Sequence, residues 1–224
     1  MRYRKRRISG TAVGIALLLI FCVWTYLIQH VDVQLAGEYE PQKNVGFATI
    51  NTWFHGLTGY SEKLYRITDW LGLVPIAVCI GFGILGLVQM IRRKGMGKVD
   101  KDILLLGVYY ILVIFAYLAF EMIPINYRPV LVDGLAKPET SYPSSTTLLV
   151  LSVMPTLIYQ VNRRVSAPGA RTTVNILTVL FTVFMVAGRT ISGVHWLTDI
   201  IGSFFLGMGL FLIYRAAADR LRRQ

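Results

Sequence analysis

The sequence predicts an all-α, polytopic membrane protein: a six-transmembrane-helix bundle with a short interfacial helix in its first outer loop. Three observations carry that expectation. Hydrophobic residues make up 54% of the 224-residue chain and the mean hydropathy is +0.55, too apolar for a soluble domain. Apolar runs able to cross a bilayer recur at about 8–28, 70–91, 103–123, 145–161, 174–190 and 195–214. The basic residues sort by side: segments 1–8, 92–102, 162–173 and 215–224 carry 5, 5, 3 and 4 Lys+Arg, 17 of the 23, against three acids. That asymmetry places both termini in the cytoplasm of a cell (inner) membrane. The net charge of +11 is therefore divided among short loops, which supply a nucleic-acid docking surface poorly, and no nucleic-acid partner is expected.

Taken in order, the basic flank Met1–Arg7 precedes a run too long for a signal-peptide core, with no small-x-small cleavage site after it. It is read as a retained first span. Residues 30–68 form the longest polar segment. Within it Phe47, Ile50, Trp53, Phe54 and Leu57 recur at helical spacing, and Gly56 and Gly59 limit the helix to about three turns. Such a helix should lie in the interface with its aromatics buried. His55 within it reads as an interfacial histidine, with a catalytic partner as the other reading. Gly81, Gly83 and Gly86 allow close helix approach in the second span. Cys22 and Cys79 each lie inside an apolar run and read as small core residues. The length suits one membrane domain over residues 1–224.

Polar groups gather where spans three to six begin or end on the outer side, in Glu121–Pro129, Pro143–Thr147 and Gly188–Asp199. Ionisable groups at that depth face the bundle interior or a wet cavity and are functional candidates by default. His195 and Asp199 are four apart, so on a helix the carboxylate can take the Nδ1 proton and leave Nε2 free. A structural pair capping a helix satisfies the same spacing. Arg189 and Arg128 can bring forked cations to an anion, and the start of span four adds the Ser144 and Ser145 hydroxyls with free backbone amides. Together these groups describe a phosphate pocket with a nucleophile.

On these residues the chain resembles the type-2 phosphatidic acid phosphatase superfamily, membrane relatives of the vanadium haloperoxidases. That family carries Lys-x6-Arg-Pro, Pro-Ser-Gly-His and Ser-Arg-x5-His-x3-Asp. Here the third motif reads Gly188-Arg189-x5-His195-x3-Asp199. The first reads Glu121-x6-Arg128-Pro129, and the second reads Pro143-Ser144-Ser145-Thr146. The resemblance covers nearly all of the chain from the second half of the outer loop onward.

The resemblance implies that His195 attacks phosphorus to form a phosphohistidine, oriented by Asp199. Arg128 and Arg189 would hold the phosphoryl oxygens with Ser144 and amides near Ser145. No cofactor or metal is implied, and the partners are a lipid phosphate or diphosphate and the bilayer. Four positions depart from the family: Gly188 replaces the leading serine of the third motif, Ser145 a glycine, Thr146 the acid histidine, and Glu121 a lysine. Thr146 cannot titrate near neutral pH. Glu121 reads either as a salt-bridge partner of Arg128 or as a substitute proton donor. The expected activity is hydrolysis of a phosphatidate-type phosphomonoester or a polyprenyl diphosphate on the outer face. The alternative is a catalytically impaired lipid-phosphate-binding protein on the same fold.

Overall fold

The structure is a computed structural model that describes residues 10–222. Its elements run α1 (Gly10–His30), a hairpin of β1 (Gln34–Ala36) and β2 (Lys43–Val45), then α2 (Ala48–Thr58) and α3 (Glu62–Leu71). α4 (Leu73–Arg92), α5 (Lys101–Met122), α6 (Ser145–Arg164), α7 (Pro168–Ile191) and α8 (Leu197–Leu221) complete the bundle. Among the described residues, five helical stretches are long and apolar enough to cross a membrane: α1, α3 with α4, α5, α7 and α8.

α8 is the central helix, with eleven buried residues, and it packs mainly on α1 and α6. Its small residues permit this. A Cβ on Gly14 of α1 would stand 2.7 Å from Ile213 Cγ1 and 2.8 Å from the Gly209 carbonyl, so the two helices meet almost backbone to backbone. Beyond that seam, Leu106, Tyr109 and Val113 of α5 join Val153 of α6 and Phe211 and Tyr214 of α8 in the largest apolar cluster.

α6 differs from the fourth apolar span expected over 145–161. It has the length, but it does not pass as a membrane-crossing helix on hydropathy. The reason is its position inside the bundle, where Ser152, Thr156 and Gln160 are buried. The Tyr109 hydroxyl donates to the Ser152 carbonyl at 2.9 Å, Tyr110 and Thr156 share a hydrogen bond at 2.7 Å, and Gln160 Nε2 donates to the Tyr214 hydroxyl at 2.8 Å. A helix surrounded by other helices can carry hydroxyls that a lipid-facing helix cannot.

Other boundaries shift for local reasons. The second span, expected from residue 70, starts at Glu62, because the Ser61 hydroxyl caps α3 by accepting the Leu64 amide and only Gly72 separates α3 from α4. α7 begins at Pro168, six residues early, where proline suits the first helical position. α8 starts at Leu197 and runs to Leu221, so His195 precedes it. Residues 8 and 9 of the expected first span lie outside the described residues.

The chain is not wholly α: β1 and β2 pair antiparallel, Gln34 opposite Val45, and Tyr127 and Thr140 form an isolated bridge. α2 lies where the short helix is expected and has two unlike faces. Its polar stripe, Asn51 and His55 with Ala48, is buried, whereas Ile50, Trp53 and Leu57 are exposed. Asn51 donates to Thr198 Oγ1 at 2.9 Å and accepts the Thr198 amide at 3.3 Å, so this stripe closes the first turn of α8.

The α1–α8 seam yields a direct test. Gly14→Ala is expected to lower stability by about 1–3 kcal/mol through overpacking. Gly81→Ala, where an added Cβ meets nothing within 4 Å, should leave the thermal midpoint in detergent unchanged or slightly raised.

Candidate active site

The turn between α7 and α8 positions the candidate nucleophile. Ser192 caps the end of α7; its hydroxyl donates to the Arg189 carbonyl at 2.9 Å and its own carbonyl accepts the Ser61 amide at 3.0 Å. Gly193 follows with φ 72°, and a Cβ there would stand 1.9 Å from the Gly59 carbonyl oxygen. Only glycine satisfies both the left-handed backbone and that approach.

His195 lies two residues on and is 4% exposed. Its Nδ1 stands 3.0 Å from the Ser141 carbonyl, an acceptor only, so Nδ1 carries the proton. Asp199 Oδ2 is 3.8 Å from the same nitrogen, too far for a hydrogen bond. The expected His195–Asp199 hydrogen bond is therefore replaced by one to a backbone carbonyl. The i, i+4 helical argument fails because His195 sits ahead of the helix. Asp199 instead accepts the Trp196 amide at 2.9 Å and the Asn126 side chain at 3.2 Å, holding the turn closed. Burial, and then the nearby guanidiniums of Arg128 and Arg189, hold the His195 imidazole well below its ordinary pKa. It is neutral at neutral pH, with an Nε2 lone pair that has no partner.

The two arginines converge on one aromatic ring. Arg189 Cζ stands 5.0 Å and Arg128 Cζ 5.8 Å from the centre of Tyr65. Arg189, 1% exposed, is held weakly by Thr68 Oγ1 at 3.3 Å and Asp69 Oδ1 at 3.4 Å. Arg128 pairs with Glu139 at 3.0 Å. Its partner is thus Glu139, and the expected pairing with Glu121 is not formed. The helical register behind that expectation ends with α5 at Met122, six residues before Arg128.

Nine buried side-chain polar atoms among the described residues lack a partner. Five of them belong to this region: Arg128 Nε and Nη1, Arg189 Nε, His195 Nε2 and Ser141 Oγ. A buried donor left unpaired costs about 1–3 kcal/mol, more for a charged group. Four of the five are nitrogens on three residues, the two guanidiniums and the imidazole. An anion bearing several oxygens would satisfy the guanidinium N–H groups and meet the imidazole lone pair at its central atom.

The remaining candidates divide. Ser145, Glu121 and His195 line one narrow cleft with Ser141 and Tyr142. Ser144 is turned to structure: its hydroxyl meets Thr147 Oγ1 at 3.0 Å and its carbonyl accepts Ser203 Oγ of α8 at 2.9 Å. Thr146 is buried beside the α3–α4 junction, its methyl 3.4 Å from where a Gly72 Cβ would be. The first-turn amides of α6 have no intrahelical acceptors. His55 is bonded to Glu38 at 3.1 Å and packs edge-on against Trp196. Tyr65, Asp69, Asn126, Glu139 and Ser141 were not singled out by sequence. Only Asn126 had a signal, its place beside Tyr127-Arg128-Pro129. Among the described residues no three His, Cys, Asp or Glu side chains gather as a metal site.

Comparison with known proteins identifies the family. A family model described as the PAP2 superfamily matches residues 102–223, more than half of the chain. The crystal structure of the first transmembrane PAP2 type phosphatidylglycerolphosphate phosphatase from Bacillus subtilis superposes with a TM-score of 0.66. The alignment has 17% identity and covers 92% of this chain and 96% of that one, a likeness of fold. No curated protein matches. With its apolar helices and this fold, the chain is an integral membrane protein and belongs to the PAP2 superfamily.

Proposed function

We propose that this protein is a lipid phosphatase that hydrolyses a phosphomonoester or diphosphate lipid through a phosphohistidine on His195. The observation that carries the reading is the set of unpaired buried nitrogens on Arg128, Arg189 and His195, guanidinium donors and an imidazole lone pair suited to an oxyanion. Nε2 attacks phosphorus as the bond to the leaving oxygen breaks, and the two guanidiniums stabilise the charge on the equatorial oxygens. The Ser141 carbonyl, accepting from Nδ1–H, stabilises the positive charge that the ring acquires. Water then cleaves the phosphohistidine to release phosphate.

Glu121 is the proton donor in this scheme, because it shares the cleft with His195 and Thr146 has no proton to give at neutral pH. A diphosphate such as a polyprenyl diphosphate suits the site best. Its leaving group is a phosphate monoester with a second pKa near 6, comparable to a phosphorylated side chain, and depends less on protonation than an alcohol does. The catalytically silent alternative, a lipid-phosphate-binding protein, draws on two features. A glutamate stands where the resembling family has a lysine, and both arginines already have acidic partners in Glu139 and Asp69.

For the membrane, we infer six crossings, with α6 as the interior one and α3 and α4 together as the second. α2 lies in the interface with Ile50, Trp53 and Leu57 toward lipid. The basic ends of the bundle face the cytoplasm of the inner membrane and the His195 end faces outward.

Phosphate release from phosphatidate, phosphatidylglycerophosphate and polyprenyl diphosphate by the purified protein tests the reading. His195→Ala should fall to background, and Arg128→Lys and Arg189→Lys should each lose about 10²–10³ in kcat with the lost fork. Asp199→Asn should lose less, since the amide oxygen can still accept the Trp196 N–H. Phosphate-analogue binding with no turnover on any substrate would establish the silent alternative.

Glu121→Gln should cost about 10²–10⁴ in rate and remove one limb of the pH–rate profile. An unchanged profile would assign the proton elsewhere.

The neutral imidazole also has a stability signature. Its folded pKa is depressed, so below about pH 6.5 the unfolded chain binds a proton that the folded one refuses, and stability falls with acidification. In His195→Ala the slope of stability against pH between about 6.5 and 5 should be shallower by roughly one proton, measured by denaturation in detergent.

A further inference from the structure

Between α4 and α5 lies an apolar groove of about 640 Å³ that includes Cys79, Phe82, Ile103 and Tyr110 in its walls. That size falls within the range of pockets that hold small ligands, roughly 300–1,000 Å³. Glycine opens it. A Cβ on Gly83 or Gly107 would meet nothing within 4 Å, whereas one on Gly86 would stand 3.2 Å from Ile103 Cγ2, where the two helices touch. α4 packs on α6 as well as α5, and Pro75 is its one buried residue.

The α4–α5 connection closes the groove at its polar end, through Met96 and Val99. It also carries Arg92, Lys94 and Lys98, all exposed and without an acidic partner among the described residues. Arg93 differs, being paired with Asp100 at 2.7 Å. An apolar groove whose wall includes the segment carrying three unpaired cations matches the two halves of an anionic phospholipid. We propose that this groove binds one acyl chain of an anionic phospholipid whose headgroup is held by Arg92, Lys94 and Lys98.

The site is distinct from the candidate active site. α5 reaches from Lys101 near the groove mouth to Glu121 in the His195 cleft, 20 residues or about 30 Å along the helix. A second copy of the chain fits the groove less well, because a two-fold contact here would set one basic loop against its equivalent.

The test uses the full chain, delipidated in detergent, with phosphatidylglycerol or phosphatidylcholine of identical acyl chains. Phosphatidylglycerol should survive as a single adduct in native mass spectrometry and raise the thermal midpoint by about 2–4 °C over phosphatidylcholine. Gly107→Leu, which fills the groove, and the triple variant Arg92→Gln, Lys94→Gln, Lys98→Gln should each abolish both effects, and His195→Ala should keep them. Equal stabilisation by the two lipids, or retention of the adduct by either folded variant, overturns the proposal. So does a dimer that Gly107→Leu dissociates without any lipid effect, which would assign the groove to a second copy, and so does loss of the adduct in His195→Ala, which would assign the lipid to the active site.

Discussion

Much of the site depends on how one buried carboxylate is satisfied. Asp199 is fully buried at the start of α8 and takes the Trp196 amide and the Asn126 side chain. A carboxyl group with no access to water must be met by hydrogen-bond partners, and the donors here are the turn before α8 and the outer segment after α5. Meeting that requirement ties Asn126 to α8 and fixes the backbone from Gly193 to Trp196. His195 is then set where the Ser141 carbonyl can accept its Nδ1 proton. The role of the carboxylate is architectural as much as electrostatic: it builds the turn, and the backbone carbonyl sets the tautomer.

The second constraint is electrostatic. Two guanidiniums share the ring of Tyr65, and each has a single carboxylate partner toward the surface, Asp69 being 55% and Glu139 44% exposed. Partners that exposed are screened by water and offset a buried like-charge pair only in part. The result is a positive field confined to the depth of the site, with the imidazole kept neutral inside it. A polyanion relieves the repulsion and fills the unpaired guanidinium donors together, which a single carboxylate cannot do. Glu121 lines the narrow cleft that also holds His195.

Hydropathy along the chain made the apolar helices legible, because lipid exposure is a constraint on composition that acts over some 20 consecutive residues. The same measure reads α6 poorly, because its Ser152 carbonyl, Thr156 hydroxyl and Gln160 amide are buried against Tyr109, Tyr110 and Tyr214. It was silent on the β1–β2 hairpin and on which face of α2 docks. Three-residue strands carry little pattern, and the buried stripe of α2 is its polar one. Apolar periodicity identifies the face turned from water, and in a membrane protein that face can be turned to lipid.

At the site, sequence alone marked the candidates: Arg128, Arg189, His195 and Asp199 stand at fixed spacings at span ends, and such spacing is a local property. Tertiary structure alone decided whom they meet. Ser141, 54 residues from His195, and Tyr65, 124 residues from Arg189, reach the site only through helix packing. Even the nearer pair, Arg128 and Glu139, depends on the extended ladder that sets Tyr127 opposite Thr140. A hydrogen bond needs its atoms within about 3.2 Å, and no composition or period along the chain encodes which two distant segments fold to that distance.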